Sequence, residues 1–503
     1  MISFLRKNIY KFHRSVSILA LIPVLIWTSS GLMHPFMTWF KPQQAKSVVI
    51  PKAVDVSKIK IGMDSVLKIN QIDKIKQIRL IQFKGKVFYQ VKLPNQTELQ
   101  YFDTQTAEKW QNGDQIYAEH LARYFFGDST SQIASNQIVS EFTHEYKSVY
   151  KLLPVHEVRF ARPDNARVYV ETEMSRLGTI IDDRRATFTW IFNNLHNWEF
   201  INFNDTFRIV FLIFVMSICF TSALTGSLVY GFFYKKLNPN AVPTRKFHRN
   251  LGITVSVAML AFAFSGAFHA FQKLTPDDRS KFVYEPKIFA NELPNLEKMQ
   301  AIFEQYNPKK DFSNLFLGKM DREILLNLTH VDGKKPNPMH TDFVQISNLK
   351  NLDGGCMTYA NFLANRFFAD KYCNSNEPDC CEDQASSKPS ETEKKLPKIV
   401  KNDYVNEFFR EYEFFNKRLP VVKVQYETSG DKRLYIEFAT GKLAASVENS
   451  QAWEGLSFAY FHKYHLFEFL GKTPRDLIMM VFALGNLLVA CLGLKMFIAR
   501  KLR

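Results

Sequence analysis

Histidine residues recur in one fixed arrangement at two places in the chain. His13 is followed 21 residues later by His34, and His248 is followed 21 residues later by His269. On an α-helix, 21 residues rise about 31 Å, which is close to the roughly 30 Å hydrocarbon core of a bilayer. The two histidines of each helix also lie only about 60° apart around its axis. Each copy therefore predicts a membrane span that carries one histidine near each membrane face.

Imidazoles at matching positions of two helices could bind one flat metal macrocycle from opposite sides. A helix bundle can place His13 and His248 in this way around a haem, whose iron takes axial histidines. At the other membrane face the candidates for metal ligation are His34, His269, His196 and His465. Pairing that follows the repeat joins His34 to His269 and His196 to His465, and crossed pairing stays open. His462 has no histidine at the matching position and is the weaker candidate. The competing interpretation is that some of these histidines only anchor helices or form hydrogen bonds.

Four glycines are candidates for contact with such a cofactor. Gly31 and Gly266 lie three residues before the second histidine of each pair, and Gly226 and Gly493 lie late in two other apolar stretches. A residue without a side chain allows a porphyrin ring or another backbone to approach the helix closely. Close helix–helix packing is the equally open interpretation.

The elements that must position these residues are four apolar runs, at 15–39, 207–233, 251–271 and 477–498. Each run is long enough to cross a bilayer. Basic residues precede the first run, fill the short loop between the second and third, and end the chain. Excess Lys and Arg mark cytoplasmic loops, so these three regions are predicted to be cytoplasmic. Segments 40–205 and 273–473 then lie on the outer side.

The composition argues against a chain made mostly of membrane spans and against a nucleic-acid-binding protein. Of the 503 residues 23% are charged, and the mean hydropathy is −0.18, so much of the chain lies in water. The net charge of +16 is explained by the basic residues beside the apolar runs, and no nucleic-acid motif accompanies it. We therefore predict contact with membrane lipid and no nucleic-acid partner. The absence of a Gly-rich dinucleotide loop predicts no bound flavin or NAD.

Strand and helix patterns predict a small α+β domain in each outer segment. In the first segment, strands are predicted at 78–83, 87–91, 99–102, 155–160 and 167–173, and helices at 116–126 and 140–151. Short motifs of this segment recur later in the same order, namely Tyr117-Ala118 as Tyr359-Ala360, Leu153-Pro154 as Leu419-Pro420, Arg167-Val168 as Arg433-Leu434, and Leu195-His196 as Tyr464-His465.

These repeats predict the fold class, an α-helical membrane protein with α+β outer domains. We expect a four-span bundle built by tandem duplication, in which each half reads span, outer domain, span. The expected boundaries are 1–40 for the first span, 41–205 for the first outer domain, 206–234 for the second span, 235–247 for the cytoplasmic loop, 248–272 for the third span, 273–473 for the second outer domain with a flexible insert at 374–398, and 474–503 for the fourth span and tail.

Four cysteines lie in the second outer segment, Cys356, Cys373, Cys380 and Cys381. An even number of cysteines in an oxidising compartment favours disulfide bonds. Their spacing matches neither a common zinc nor an iron–sulfur pattern, although a thiolate metal site is the alternative.

The chain resembles the PepSY-associated transmembrane family. The resemblance is carried by Phe12-His13-Arg14 with Ser30-Gly31, by 195–200 leading into a span with Thr225-Gly226, and by the hairpin at 153–170. It implies PepSY-like outer domains and a multi-pass protein of the bacterial inner membrane, with periplasmic domains and cytoplasmic termini. The family's histidines match His13 and His196, and in the second half His248 and His465.

What the resemblance implies about function is iron acquisition. The best understood members are haem-containing reductases of ferric siderophores, which implies two b-type haems, an electron donor such as quinol or a cytoplasmic reductase, and a ferric siderophore as substrate. The other hypotheses are a haem-free accessory protein that binds a periplasmic or outer-membrane partner of iron uptake or a protease, and a transporter of iron or haem.

Overall fold

A computed structural model describes residues 2–231, 242–274, 282–332, 335–369 and 396–501. Most of the predicted insert 374–398 lies outside these residues, as do Cys373, Cys380 and Cys381. The chain divides into two compact units. We name Met1–Lys41, Asp183–Pro276 and Ser450–Arg503 the helical unit, and Pro42–Asp182 and Asp277–Asn449 the sheet unit.

The described residues form ten α-helices: α1 Ile2–Trp39, α2 Met63–Ile69, α3 Gly113–Phe126, α4 Asp183–His196, α5 Asp205–Gly231, α6 Pro243–Gln272, α7 Leu296–Tyr306, α8 Gly355–Phe368, α9 Asn449–Ser457 and α10 Lys472–Lys501. Four of them are long and apolar enough to cross a membrane, over Asn8–Trp39, Asp205–Gly231, Pro243–Gln272 and Lys472–Ala499. They correspond to the four apolar runs of the sequence.

The four long helices pack as a bundle. Helices α1 and α6 each contact both α5 and α10, so α1 and α6 lie diagonally opposite one another. Helix α4 packs on α1, and a π-helical turn at Phe458–His462, which continues α9, packs on α6. Small side chains permit this packing, because Ala20 of α1, Cys219 of α5 and Ala263 of α6 form a common buried contact.

Sixteen strands are described in the sheet unit: β1 Lys74–Ile75, β2 Gln77–Phe83, β3 Lys86–Lys92, β4 Gln100–Asp103, β5 Ile133–Val139, β6 Val155–Phe160, β7 Arg167–Glu171, β8 Arg176–Ile181, β9 Ile288–Phe289, β10 Phe312–Met320, β11 Glu323–Asp332, β12 Lys335–Gln345, β13 Ile399–Val405, β14 Val421–Tyr426, β15 Arg433–Glu437 and β16 Lys442–Val447. They form a six-stranded sheet of order β12-β11-β10-β2-β3-β4, two four-stranded sheets of orders β5-β6-β7-β8 and β13-β14-β15-β16, and the pair β1-β9.

The six-stranded sheet takes three strands from each predicted outer domain. The two sets of three strands are joined by the pairing of Phe316 in β10 with Arg79 in β2. The sequence predicts two separate domains, whereas the structure has one compact sheet unit with a shared core that includes Leu80 and Leu326. Residues 183–196, which the sequence places in the first outer domain, belong to the helical unit.

One predicted helix is wrong. Residues 140–151 contain only a short 3₁₀ turn, Ser148–Tyr150, after strand β5. The physical reason is Tyr146, which is fully buried, stacks on Tyr169 at 4.6 Å and donates its hydroxyl hydrogen to the Leu152 carbonyl at 2.9 Å. These contacts hold the segment as a loop against the four-stranded sheet.

Buried ion pairs cross between the two four-stranded sheets. Glu437 of β15 accepts from Arg418 at 2.8 Å and is paired with Arg176 of β8. Burial by itself would raise the pKa of Glu437, but the two guanidinium groups lower it to about 2. A carboxylate this well paired stays ionised in the interior of the sheet unit.

Candidate functional site

His13 and His248 form the first histidine layer of the helical unit. They lie on the diagonal helices α1 and α6 and are close enough to interact electrostatically. Each is half-buried, and each packs against one neighbouring helix, α5 for His13 and α10 for His248. The structure thus places His13 and His248 near one another at the same end of the bundle.

Hydrogen bonds define which nitrogen of His13 carries a proton. His13 Nδ1 lies 3.1 Å from the hydroxyl of Thr225. That hydroxyl donates its own hydrogen to the Thr221 carbonyl at 2.8 Å. Its remaining capacity is as an acceptor, which favours His13 Nδ1–H as the donor. The Ser17 hydroxyl lies 3.3 Å from the same Nδ1 and can accept as well, because it can donate its own hydrogen to the Ser222 hydroxyl at 2.8 Å. The Nε2 atom of a neutral His13 then carries a free lone pair.

His248 also donates a hydrogen bond through Nδ1. His248 Nδ1 lies 3.1 Å from the carbonyl oxygen of Val489, which can only accept. Nδ1 therefore donates, and Nε2 keeps its lone pair. A histidine oriented through Nδ1 in this way is the common form of a metal ligand.

Two of the predicted glycines lie directly against these rings. A Cβ atom built on Gly226 would lie 3.0 Å from His13 Cε1, and one built on Gly493 would lie 3.5 Å from His248 Cε1. The first distance is shorter than an ordinary van der Waals contact. Gly226 therefore makes room for the His13 imidazole, whereas a Cβ atom at Gly493 would be in ordinary van der Waals contact with His248.

The second histidine layer consists of His34, His196, His269 and His462. His196 Nδ1 lies 3.1 Å from the Ser30 hydroxyl, and His462 Nδ1 lies 3.2 Å from the Ser265 hydroxyl. Both hydroxyls donate to carbonyls of their own helices, Ser30 to Trp27 and Ser265 to Ala261. By the argument used for His13, His196 and His462 donate through Nδ1 and keep Nε2 free.

Several features of the surroundings of His196 recur around His462. Phe192 stacks on His196 at 4.6 Å and Phe458 stacks on His462 at 4.5 Å, each from four residues before the histidine. The nearest side-chain atom to a Cβ on Gly31 is His196 Cε1 at 3.8 Å, and His462 Cε1 lies at 3.9 Å from a Cβ on Gly266. Two residues after each histidine the chain adopts a left-handed conformation, at Trp198 (φ 52°) and Tyr464 (φ 55°).

His465 does not occupy the position that the sequence gives it. The sequence matches His196 with His465, but the structure gives His462 the contacts that correspond to those of His196. His465 lies at the start of a 3₁₀ turn, His465–Leu470, with its Nδ1 3.3 Å from Glu468. Matching His196 with His462 changes the offset between the two halves from 269 to 266 residues at this point.

The ring centres of His196 and His462 are 6.1 Å apart, with an angle of 84° between the ring planes. His34 and His269 are within electrostatic range of His462. The structure therefore brings together five of the six predicted histidines in two layers, and adds His462. A phenylalanine lies four residues before His196, but the same spacing precedes both His462 and His465, at Phe458 and Phe461, so it does not choose between these two histidines.

The family model for the PepSY-associated TM region matches residues 94–500. The chain belongs to this family. The resemblance stated from the sequence is thereby confirmed, and the four apolar helices make this family member a multi-pass membrane protein. No curated protein matches the chain.

This PepSY-associated TM protein differs between its halves at one point of the second layer. His269 Nδ1 donates to Glu454 at 2.7 Å and its ring stacks on Phe458 at 4.6 Å. His34 instead packs near Phe192 at 5.9 Å, and no described residue hydrogen-bonds its imidazole. A carboxylate that accepts from Nδ1 fixes the tautomer of His269 more firmly than that of His34.

Among the residues that the structure describes, no three His, Cys, Asp or Glu side chains converge as a set of metal ligands. Cys356, which is described, is a free thiol. The donor set that the helical unit does present is two groups of imidazoles, His13 with His248 and His34, His196 and His269 with His462.

Proposed function

We propose that this protein is a b-type haem electron-transfer protein of the bacterial inner membrane that reduces a ferric siderophore or another ferric chelate on the periplasmic side. The observation that carries the proposal is the uniform orientation of four histidines, His13, His248, His196 and His462. Each makes its hydrogen bond to the protein at Nδ1, so that Nε2 is the nitrogen available to a metal. Axial ligation of haem iron needs one or two such imidazoles.

The residues present fit a haem. Metal–imidazole nitrogen bonds are about 2 Å long, so the ring centres of two imidazoles on opposite sides of one metal ion lie roughly 6 Å apart. The 6.1 Å between the ring centres of His196 and His462 agrees with this value. His34 and His269 remain further candidates at the same layer. When bound, the two haems would supply one-electron carriers near the two membrane faces.

In this proposal, neighbouring side chains orient the histidine ligands, shield them from water and set how closely they approach the helices. Thr225, Ser30 and Ser265 accept from the histidines and so hold the ligand nitrogen in a single tautomer. The phenylalanines stacked on His196 and His462 exclude water from one face of each imidazole. Glycines at 226 and 493 set the approach of the rings to the neighbouring helices.

We also propose that the chain arose by tandem duplication of span, PepSY-like domain and span. Support comes from matched contacts in the two halves, such as Ser30 with His196 and Ser265 with His462. Duplication explains why each half contributes one histidine to the first layer and two histidines to the second layer. Under the rule for basic loops, the first layer would lie on the cytoplasmic side, next to a quinol or a cytoplasmic reductase.

Two described cavities of the sheet unit are too small to bind a ferric chelate. Two cavities of the sheet unit, one lined by Lys76 and Glu285 and the other by His156 and Asp114, measure about 10 and 20 Å³. Each has room for about one water molecule. Neither can be the chelate site, so we propose that the chelate is reduced at an open surface near the second layer.

The experiment that tests the function is anaerobic mixing of dithionite-reduced protein, freed of excess dithionite, with a ferric chelate. We expect reoxidation of the protein in step with Fe(II) trapped by ferrozine. The His13→Ala and His196→Ala variants should lose most of this reaction, whereas His144→Ala in the sheet unit should keep it. Reduced protein that stays reduced for hours with several ferric chelates would contradict the reductase function.

A further inference from the structure

Large apolar side chains project outward just before helices α5 and α10. We name residues 197–204 and 463–471 the two pre-span segments. Phe200 and Phe203 of the first are 59% and 74% exposed, and Leu466 and Phe469 of the second are 63% and 81% exposed. In the alignment that matches His196 with His462, Phe203 corresponds to Phe469. The exposure is therefore a feature of both halves.

Each pre-span segment also has an inward side. Trp198 is 7% exposed and stacks on Trp27 of α1 at 5.1 Å. Tyr464 is 9% exposed and packs on Phe262 of α6 at 5.4 Å. The segments are thus fixed to the bundle by one aromatic residue while the following apolar residues face away from it. This two-sided pattern is typical of a segment that lies along the boundary between two media.

The outward side chains continue the surface of the membrane spans. Phe207 near the start of α5 and Leu477 near the start of α10 are also about half exposed. Charged groups lie at the same level, with Arg208 paired to Asp205 at 2.7 Å and Lys472 paired to Asp476 at 2.9 Å. Soluble surfaces rarely expose contiguous apolar patches larger than a few hundred Å². Apolar and aromatic groups beside ion pairs at the ends of spans fit the headgroup region of a bilayer.

We propose that the two pre-span segments lie in the interfacial layer of the lipid bilayer, with Phe200, Phe203, Leu466 and Phe469 inserted among the lipids. The occupant of this surface is lipid, because the surface is continuous with that of helices that cross the membrane. Two tryptophans on the preceding helices, Trp190 and Trp453, are also about two-thirds exposed and extend the same aromatic belt.

The proposal fixes the depth of the second histidine layer. His196 is four residues from Phe200, and His462 is four residues from Leu466. Both histidines therefore lie at the headgroup boundary instead of deep in the hydrocarbon core. A water-soluble reaction partner could meet this layer at the membrane surface without entering the hydrocarbon. This inference concerns lipid contact and does not depend on haem.

Photo-crosslinking of the full-length chain tests the proposal. p-Benzoyl-phenylalanine is incorporated in place of Phe203 or Phe469, and the protein is irradiated in nanodiscs of phosphatidylethanolamine and phosphatidylglycerol. The matched control is the same replacement at Phe414, which is 67% exposed in the sheet unit. We expect lipid adducts, detected by mass spectrometry, at least tenfold more abundant at positions 203 and 469 than at 414.

Two results would overturn the proposal. One is lipid adduct at 203 and 469 no more abundant than at 414. The other is crosslinking of these positions mainly to peptides of the sheet unit or to a second protein chain. Incorporation at Phe200, the less exposed neighbour, provides an independent variant if one replacement prevents folding, and it should give the lipid adduct as well.

Discussion

His462 Nδ1 lies 3.2 Å from the hydroxyl of Ser265, and this bond repeats the contact of His196 with Ser30. The hydroxyl of Ser265 already donates to the Ala261 carbonyl at 2.7 Å. It must therefore accept from His462, which leaves Nε2 of the imidazole free. This single contact explains why His462, and not His465, belongs to the second histidine layer.

Replacement of Ser265 by alanine removes the acceptor that orients His462. Loss of such a partner typically lowers metal affinity 10–100-fold. We expect Ser265→Ala to lose haem about 10–100-fold more readily than the parent, measured as haem transfer to apomyoglobin. Ser256→Ala is the matched control on the same helix, because that hydroxyl donates only to the Ile253 carbonyl. Equal haem loss from both variants would contradict the orienting role of Ser265.

Gly226 is required at its position because His13 occupies the adjacent space. The Cβ of Gly226→Ala would lie 3.0 Å from His13 Cε1, so the ring or the helix must shift. Overpacking of this kind costs about 1–3 kcal/mol. We expect a lower melting temperature and an altered first-layer spectrum. Gly231→Ala, at the end of the same helix and with no described atom within 4 Å of its Cβ, should leave both unchanged.

The sequence predicts the bundle and the first histidine layer well. Length and hydropathy identify the spans because a bilayer demands long apolar helices. The 21-residue spacing from His13 to His34 and from His248 to His269 identifies matching helices. The sequence does not predict His462, because the approach to α10 runs through a π-helical turn and a 3₁₀ turn, whereas the approach to α5 follows an ordinary helix. Local irregularity of this kind leaves no periodic signal.

Tertiary pairing is the other feature that could not be predicted. The six-stranded sheet pairs Phe316 with Arg79 across more than 200 residues, and the alternation of apolar residues in a strand does not name its partner. The loop at 140–151 reads as a helix by local pattern, but contacts of Tyr146 with Tyr169 and Leu152 override that pattern.

The buried carboxylate of Glu437 should be essential for stability of the sheet unit. Glu437→Gln removes the nearer of the two carboxylates that Arg176 and Arg418 share, and it leaves them only Glu171, at 3.4 and 3.6 Å. Loss of one partner from a buried ion pair costs about 3–5 kcal/mol. We expect protection from amide hydrogen exchange to fall by orders of magnitude in β14 and β15. The exposed pair of Lys401 and Asp403 gives the control, since Lys401→Met should cost less than about 1 kcal/mol. Similar protection in both variants would contradict this role.

His330 should make the local stability of β11 depend on pH. Asp342 and Asp311 accept hydrogen bonds from its ring at 3.2 and 2.8 Å, and the two carboxylates raise its pKa above the ordinary value of about 6.5. A raised pKa stabilises the folded state below pH 6.5, and this stabilisation is lost as the pH rises through the folded pKa. Hydrogen exchange of peptides from β11, corrected for intrinsic rates, should show falling protection over this range. In His330→Asn, protection of β11 from exchange should be lower at low pH and should vary little with pH. If this variant shows the same dependence of protection on pH as the parent protein, the His330 ion pairs are not the cause.

The central claim is that paired histidines of the two layers hold haem. The most direct measurement is the absorption spectrum of the purified protein with and without dithionite, combined with a pyridine haemochrome assay. For the parent protein we predict about two b-type haems per chain and a reduced α-band near that of bis-histidine haem. We predict that His462→Ala loses about half of the haem, whereas His465→Ala keeps the spectrum of the parent. Protein purified from haem-supplemented cells without a Soret band, or loss of haem in His465→Ala but not in His462→Ala, would contradict the account.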